Sequence, residues 1–189
     1  MKILALAGSL RKDSFNKKLI RLAAKAAEQS GAKVTLVDLK DYPLAPYDGD
    51  DEKNSGVPEN GQKLKKLFME YDGFMFASPE YNSSISGTFK NVIDWVSRPE
   101  KSDPSPMPAF RGKWAAIMSA SPGALGGLRG LVHLRQILNN INVHVIPEQV
   151  TISKAQDAFD DAGNLGEKEQ KKVEDLAGAF VSFLEKMTR

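Results

Sequence analysis

The sequence predicts an α/β fold: a doubly wound, five-stranded parallel sheet with helices on both faces, built by one domain over 1–189. Three observations predict it. Five short runs, 3–7, 34–37, 74–77, 114–118 and 143–146, are apolar at successive positions, as parallel strands covered on both faces require. Stretches with apolar residues at helical spacing separate them. Strand and helix alternate to the end of the chain, the order that gives right-handed β-α-β crossovers.

The elements follow in order. After the first run, Leu19, Leu22, Ala23 and Ala26 share one helical face. After the second, Leu64, Leu67 and Phe68 do so. Phe89, Val92, Ile93 and Val96 follow the third run, and Leu131, Leu134, Ile137, Leu138 and Ile141 follow the fourth. Val173, Leu176, Phe180, Phe183 and Leu184 close the chain as a fifth helix. Five strands favour the flavodoxin-like order 2-1-3-4-5 over the six-stranded dinucleotide fold. Ligands of such sheets sit beyond the carboxyl ends of the strands, at the switch point between strands 1 and 3. Two long connections, 39–58 and 98–112, are rich in proline or acids, and loops of that length line sites, contact partners or move. A third irregular stretch, 147–166, is expected to hold a broken end to the fifth strand.

Composition narrows the function. With 26 basic and 24 acidic residues the chain has no strongly basic footprint, so no nucleic-acid partner is expected. No apolar run approaches the roughly 20 residues of a membrane span, and the opening apolar run passes straight into a polar motif, unlike a signal peptide. The chain has no cysteine, which removes disulfides, thiolate metal sites and a cysteine nucleophile, and is compatible with the cytoplasm. Its two histidines, His133 and His144, are too few and too far apart in the sequence to suggest a metal centre, so none is expected.

Two turns carry the chemistry. The first is Gly8-Ser9-Leu10-Arg11-Lys12-Asp13-Ser14-Phe15-Asn16, between a buried strand and a helix. A helix N-terminus offers unpaired N–H groups and the positive end of its dipole, so it attracts phosphate. Ser9 and Ser14 add hydroxyls, Asn16 an amide, and Arg11 a planar cationic fork suited to phosphate. The plainer reading has Asp13 or Ser14 only capping the helix and Arg11 merely exposed. The run is neither a Walker loop nor a Gly-x-Gly-x-x-Gly fingerprint. The second turn is Ser78-Pro79-Glu80-Tyr81-Asn82-Ser83-Ser84-Ile85-Ser86-Gly87. Pro79 fixes its backbone, Asn82 and Gly87 tolerate unusual dihedrals, and the loop can aim N–H and C=O groups at the edge of a flat heterocycle. The plainer reading is a β-α loop with Ser86 capping the next helix. Tyr81 could lie beside the ring or on the substrate side. Glu80 invites a general-base reading, but a structural polar contact fits it better. After the fourth strand, the small residues Ser119, Ala120, Ser121 and Gly123 would let a second ligand edge approach the backbone, or simply make a tight turn. A phosphate seat and a ring seat on neighbouring strands suggest a mononucleotide.

These residues also resemble the NADPH-dependent FMN reductase family, which includes quinone, chromate and azo-dye reductases. Gly8-Ser9-Leu10-Arg11 with Ser14 and Asn16 is similar to its flavin-phosphate motif. Pro79-Glu80-Tyr81-Asn82, Ser86-Gly87, Lys90-Asn91 and Asp94-Trp95 extend the likeness, as do Pro43-Leu44, Tyr47-Asp48, Arg111-Gly112-Lys113, Gly126-Gly127 and His133-Leu134-Arg135-Gln136. The resemblance implies FMN as cofactor and NADPH or NADH as transient co-substrate. The phosphate would sit on Ser9, Arg11, Ser14 and Asn16, with main-chain help from Leu10 to Phe15, including Lys12 and Asp13. The isoalloxazine would rest against Pro79, Glu80, Tyr81 and Asn82, with the 119–123 loop at its other edge. Lys90, Asn91 and Asp94 would fix the ring loop, and Trp95 would be core rather than a lid. His133 and Arg135 fit an interface or an ordinary helix face equally. No side chain need act as acid or base, so no catalytic residue is expected. A small-molecule electron acceptor and a homodimer or homotetramer are implied. A flavodoxin-like electron carrier and a flavin-binding regulatory module are the rival readings. Arg11 in the phosphate turn and the near-neutral charge argue against the carrier, because flavodoxins typically use hydroxyls and backbone there and are acidic.

Overall fold

A computed structural model of the chain describes residues 1–99 and 107–187. In chain order its strands are β1 (Lys2–Ala7), β2 (Lys33–Val37), β3 (Gly73–Ala77), a short pair β4 (Glu80–Tyr81) and β5 (Ser84–Ile85), then β6 (Trp114–Ala120) and β7 (His144–Ile152). The sheet order is β2-β1-β3-β6-β7, all parallel, which is the expected 2-1-3-4-5 in terms of the main strands; β4 and β5 form a separate antiparallel hairpin. The helices are α1 (Phe15–Gln29), α2 (Gly49–Ser55), α3 (Glu59–Met69), α4 (Gly87–Val96), α5 (Leu128–Asn140), α6 (Ala155–Ala158) and α7 (Glu167–Met187). Among the described residues, no helix is long and apolar enough to cross a membrane.

Alternation along the central strands divides the core in two. Ile3, Ala5, Ala7, Met75, Ala77, Ala116 and Met118 face one side, where α1 and α7 pack. Leu4, Leu6, Phe74, Phe76, Ala115 and Ile117 face the other, under α3, α4 and α5. The first side is lined by small residues, and α1 meets it with Ala23, Ala24 and Ala27, so helix and sheet approach closely. The second is filled by Phe68, Phe74, Phe76, Phe89 and Phe110, whose rings meet at centroid separations from 5.0 to 6.3 Å. Each side excludes water by burying apolar area, the main stabilising term of the fold.

Two stretches depart from the simplest expectation. β2 is an edge strand, and its Leu36 is half exposed rather than covered. The 39–58 connection is more ordered than its composition suggests. It holds a 3-10 turn at Leu39–Asp41 and the short α2, whose first turn is capped by Asp48 accepting from Asp50 N–H at 2.7 Å. Its strap at 42–47 is pinned to α4: Asn91 Oδ1 accepts from Tyr47 N–H, and Asn91 Nδ2 and Trp95 Nε1 both donate to Ala45 O. Asn91 therefore fixes this strap and not the ring loop, while Lys90 and Asp94 pair with each other along α4. Trp95 is core, 1% exposed. Of the 98–112 connection, Pro104 and Pro106 lie outside the described residues.

The broken end of the fifth strand has a physical cause. Between the pairs Ala115↔Val145 and Ile117↔Gln149, β7 carries two extra residues, centred on Pro147, which has no N–H for the ladder. Arg135 covers the bulge, donating to Val145 O, Ile146 O, Pro147 O and Gln149 Oε1. Arg135 is thus a tie within the fold.

One ion pair sets the start of α1 against the end of β2. Lys17 is 6% exposed, and its Nζ donates to both oxygens of Asp38 at 2.7 and 2.6 Å. Burial opposes ionisation of Asp38, but Lys17 and the Lys40 N–H outweigh it and hold the carboxyl below its ordinary 3.8. Asp38→Asn leaves a buried ammonium poorly paired. It should cost about 1–2 kcal/mol at pH 7, less than the 3–5 of a fully buried pair because Asp38 is partly open to water. A carboxyl with a depressed folded pKa contributes stability above its unfolded value and loses it as pH falls through the folded one. The gap between parent and variant in urea midpoints should therefore be full above pH 3.8 and close below it.

Candidate functional site

Three turns meet at the carboxyl ends of β1, β3 and β6, and side chains stitch them together. Gly8 N–H extends the ladder onto Ala77 O at 2.9 Å. Its Cα lies against Phe89: an added Cβ would come within 2.8 Å of that side chain. Ser86 caps α4 as expected, accepting from Phe89 N–H at 3.1 Å, and its hydroxyl also donates to Gly8 O at 2.6 Å. The first and second turns are thereby joined.

The first turn has the form of an anion seat. Ser14 occupies the N-cap position of α1 with extended backbone, yet its hydroxyl makes no capping bond. The N–H groups of Phe15, Asn16 and Lys17 open the helix and have no acceptor within it; the first closed bond is Lys18 N–H to Ser14 O. No acidic residue occupies that first turn. Leu10, Arg11, Lys12 and Asp13 are exposed, while Ser9 and Ser14 are buried beneath them. Ser9 Oγ accepts from Arg11 N–H at 3.3 Å. Phe15 stacks on Phe159, so its side chain faces the fold and only its N–H faces the turn.

Asn16 departs from the expected role of its amide. Its Nδ2 donates to Ala120 O at 2.8 Å and its Oδ1 accepts from Ala120 N–H at 2.9 Å. The amide is spent on this clasp, and so are both backbone groups of Ala120. Asn16 offers the seat its N–H, and Ala120 offers a ligand no polar group.

The second turn is a hairpin, not an irregular loop. Asn82 and Ser83 take φ values of 50° and 65°, a two-residue left-handed turn that suits a twisted hairpin. Gly87, expected to need glycine's freedom, begins α4 without a positive φ, and nothing lies within 4 Å of an added Cβ. Pro79 is buried, and Tyr81 and Asn82 are exposed at the tip. Glu80 turns inward. Its Oε1 accepts from Arg129 Nε at 2.9 Å and Nη2 at 2.7 Å, and its Oε2 accepts from Gly130 N–H at 3.1 Å. Burial disfavours its charge, but the Gly130 N–H and Arg129 prevail and hold the carboxyl below its ordinary 4.5. Glu80 is the structural contact that the sequence favoured over a general base.

The third turn is also partly closed. Ser119 is fully buried, and its hydroxyl has no hydrogen-bond partner among the described residues. It lies beneath Gly127, where an added Cβ would fall 1.9 Å from Ser119 Oγ. The Ser119 side chain is therefore sealed off. Ser121 and Gly123 stay open, bridged by Gly123 N–H to Ser121 Oγ at 3.3 Å. Gly126 and Gly127 have φ values of 60° and 89°, which let the chain turn tightly over the ends of β6 and β7. Adjacent glycines just before a helix were the sequence signal for this approach; nothing in the sequence pointed to Arg129. His133 touches the hairpin, its Nδ1 3.0 Å from Ser84 Oγ. A cleft of about 530 Å³ lies to one side, between the 42–47 strap and α4, and shares only Leu10 with the expected site residues.

An open helix N-terminus with an adjacent arginine at the switch point of a flavodoxin-like sheet defines a mononucleotide-binding class of protein. The comparisons make this particular. The NADPH-dependent FMN reductase family model matches residues 1–157. An "NAD(P)H-dependent FMN reductase" of Pseudomonas aeruginosa is 38% identical over 166 residues, 87% of this chain and 84% of that protein. An "NAD(P)H:quinone oxidoreductase" of Solanum tuberosum is 39% identical over 176 residues, 90% of this chain and 86% of that one. The structure of a flavoenzyme NAD(P)H:(acceptor) oxidoreductase from Paracoccus denitrificans superposes with a TM-score of 0.79 at 31% identity, covering 98% of this chain and 97% of the other. The chain belongs to the NADPH-dependent FMN reductase family: it is an oxidoreductase whose cofactor is FMN and whose reductant is NADPH or NADH.

The close approach at Gly127 gives a test of the third turn. Gly127→Ala combines a positive φ with a collision and should cost about 2–4 kcal/mol. Gly87→Ala meets open space and should change stability by less than about 0.5 kcal/mol. Urea denaturation of both variants beside the parent checks the contrast.

Proposed function

We propose that this chain carries electrons from NADPH or NADH to a small oxidised acceptor, such as a quinone, free flavin, chromate, azo compound or nitro compound, by alternating both substrates at one place. The observation that carries the reading is the open N-terminus of α1 beside the exposed Arg11, next to the hairpin on the neighbouring strand. The donor set fits FMN: three N–H groups, two hydroxyls and a guanidinium suit a terminal phosphate, and no dinucleotide fingerprint accompanies them.

In this reading Arg11, Ser9, Ser14 and the N–H groups of Phe15, Asn16 and Lys17 hold the phosphate, with Leu10, Lys12 and Asp13 forming the rest of the turn. The backbone from Pro79 to Asn82 flanks the ring on one side, and Ser121 and Gly123 flank it on the other. FMN, when bound, supplies the redox chemistry. The chain supplies position, and backbone donors at the ring edge steady negative charge there. The tie of Glu80 to Arg129 and Gly130 engages both its oxygens and holds the carboxylate as an anion, a structural rather than proton-transferring role. We also read the protein as a cytoplasmic homodimer or homotetramer. The exposed apolar side chains of Tyr81, Leu128 and Val132 beside the hairpin support association.

Anaerobic titration of the purified holoprotein tests this. Its flavin absorbance should bleach with one equivalent of NADPH or NADH and return on adding menadione. Flavin released by heat should chromatograph as FMN, and initial-rate lines at several acceptor concentrations should run parallel. Failure to bleach with either nicotinamide would leave an electron carrier or a non-turnover module. Recovery of FAD, or intersecting lines with a ternary complex, would contradict the cofactor seat or the shared place.

A further inference from the structure

We propose that Glu80 is a positioning residue: its carboxylate latches the β4–β5 hairpin onto the start of α5 and so fixes where the hairpin backbone meets the flavin ring. The proposal rests on the function proposed above and deepens it.

Five features of the hairpin and α5 fit together. The hairpin is only two residues per strand, and a two-stranded ribbon of any length is marginal alone. Its place must come from what it docks on. The N-cap of α5 is Gly127, which brings no side chain, and its first turn holds no acidic residue. The negative group expected at a helix N-terminus is delivered from another element, 50 residues away in sequence, by Glu80 to Gly130 N–H. Arg129, from the same turn, grips the other oxygen with Nε and Nη2, a fork that sets direction as well as distance. The contact between hairpin and helix is close. A Cβ on Gly130 would lie 3.1 Å from Ser84 O and 3.3 Å from Glu80 Cβ, tight contacts that glycine avoids, so the hairpin backbone sits directly on the helix. The bond between His133 and Ser84 ties the second strand of the hairpin one turn further along α5.

The latch has a direction. It lies on the ring side of the site, and among the described residues its bonds go to Arg129 and Gly130 and none to the α1 turn. Loosening it should therefore weaken whatever leans on the hairpin and spare the phosphate seat. FMN and riboflavin share the ring, so both should suffer alike.

The experiment compares parent, Glu80→Gln and Glu80→Ala. Flavin is removed and each protein is titrated with FMN and with riboflavin; hydrogen exchange is followed by mass spectrometry on the flavin-free proteins. Glu80→Ala should weaken both ligands by about the same factor, on the order of tenfold. Glu80→Gln keeps an oxygen for Gly130 N–H but loses the charged grip of Arg129, so it should fall between, at about threefold. Amides of the hairpin and the first turn of α5 should exchange faster in Glu80→Ala, while those at 9–18 keep the parent rate. If Glu80→Ala does not fold, Glu80→Gln carries the test with the same signs and smaller sizes. Parent-like riboflavin affinity, or unchanged hairpin exchange, would overturn the proposal. If the parent itself binds neither flavin, the proposed function has failed, and hairpin exchange alone then decides whether the latch exists.

Discussion

The site depends on one clasp. Asn16, in the first turn of α1, exchanges two hydrogen bonds with the backbone of Ala120 at the end of β6. The two residues lie 104 apart in sequence and on either side of the sheet's switch point. Both groups of Ala120 and the whole Asn16 side chain are buried, so each bond is worth about 1 kcal/mol made and 1–3 kcal/mol if left open. More important is the geometry. The clasp holds the open end of α1 at a fixed height above β6, and thus fixes the first turn against the third. Ser86 does the same between the first and second turns, through Gly8 O.

These ties divide the labour among the polar residues. Asn16, Ser86 and the Glu80 carboxylate face inward and, with the exposed Arg129 gripping Glu80, hold the turns to one another. Arg11, the free N–H groups of α1 and the tip at Tyr81 and Asn82 face outward. A flavin site needs both kinds. Donors pointing at a ligand cost little only if they need not reorganise on binding, and the inward set keeps them in place. A redox enzyme whose chemistry resides in its cofactor needs little beyond such preorganisation.

Much of this was legible in the sequence, for definite reasons. Runs such as 74–77, apolar on both faces, could only be covered parallel strands, so order and switch point followed. The open turn at the start of α1 was legible as a candidate phosphate seat because Ser9, Arg11 and Ser14 sit directly between a buried strand and an amphipathic helix. Three things were hidden. Asn16 looked like a ligand donor because its partner is a backbone group at the far end of another strand, and backbone partners leave no mark on residue identity. Ser119 looked available because small residues suggest approach, but the approach is made by Gly127 and seals it. The hairpin at 80–85 was too short for alternation to reveal, and its turn rests on Asn82 and Ser83 rather than on Gly87.

The most direct measurement is the affinity of Arg11→Ala for FMN and for riboflavin. FMN phosphate carries close to two negative charges at neutral pH, and in the proposed seat the exposed Arg11 is the turn's one guanidinium. A charge-assisted bond of about 1.5–3 kcal/mol corresponds to roughly a 10- to 150-fold change in affinity. Titration should show FMN weakened by that factor, with riboflavin, which has no phosphate, bound as by the parent. Unchanged FMN affinity, or equal loss of both ligands, would contradict a phosphate seat at the start of α1.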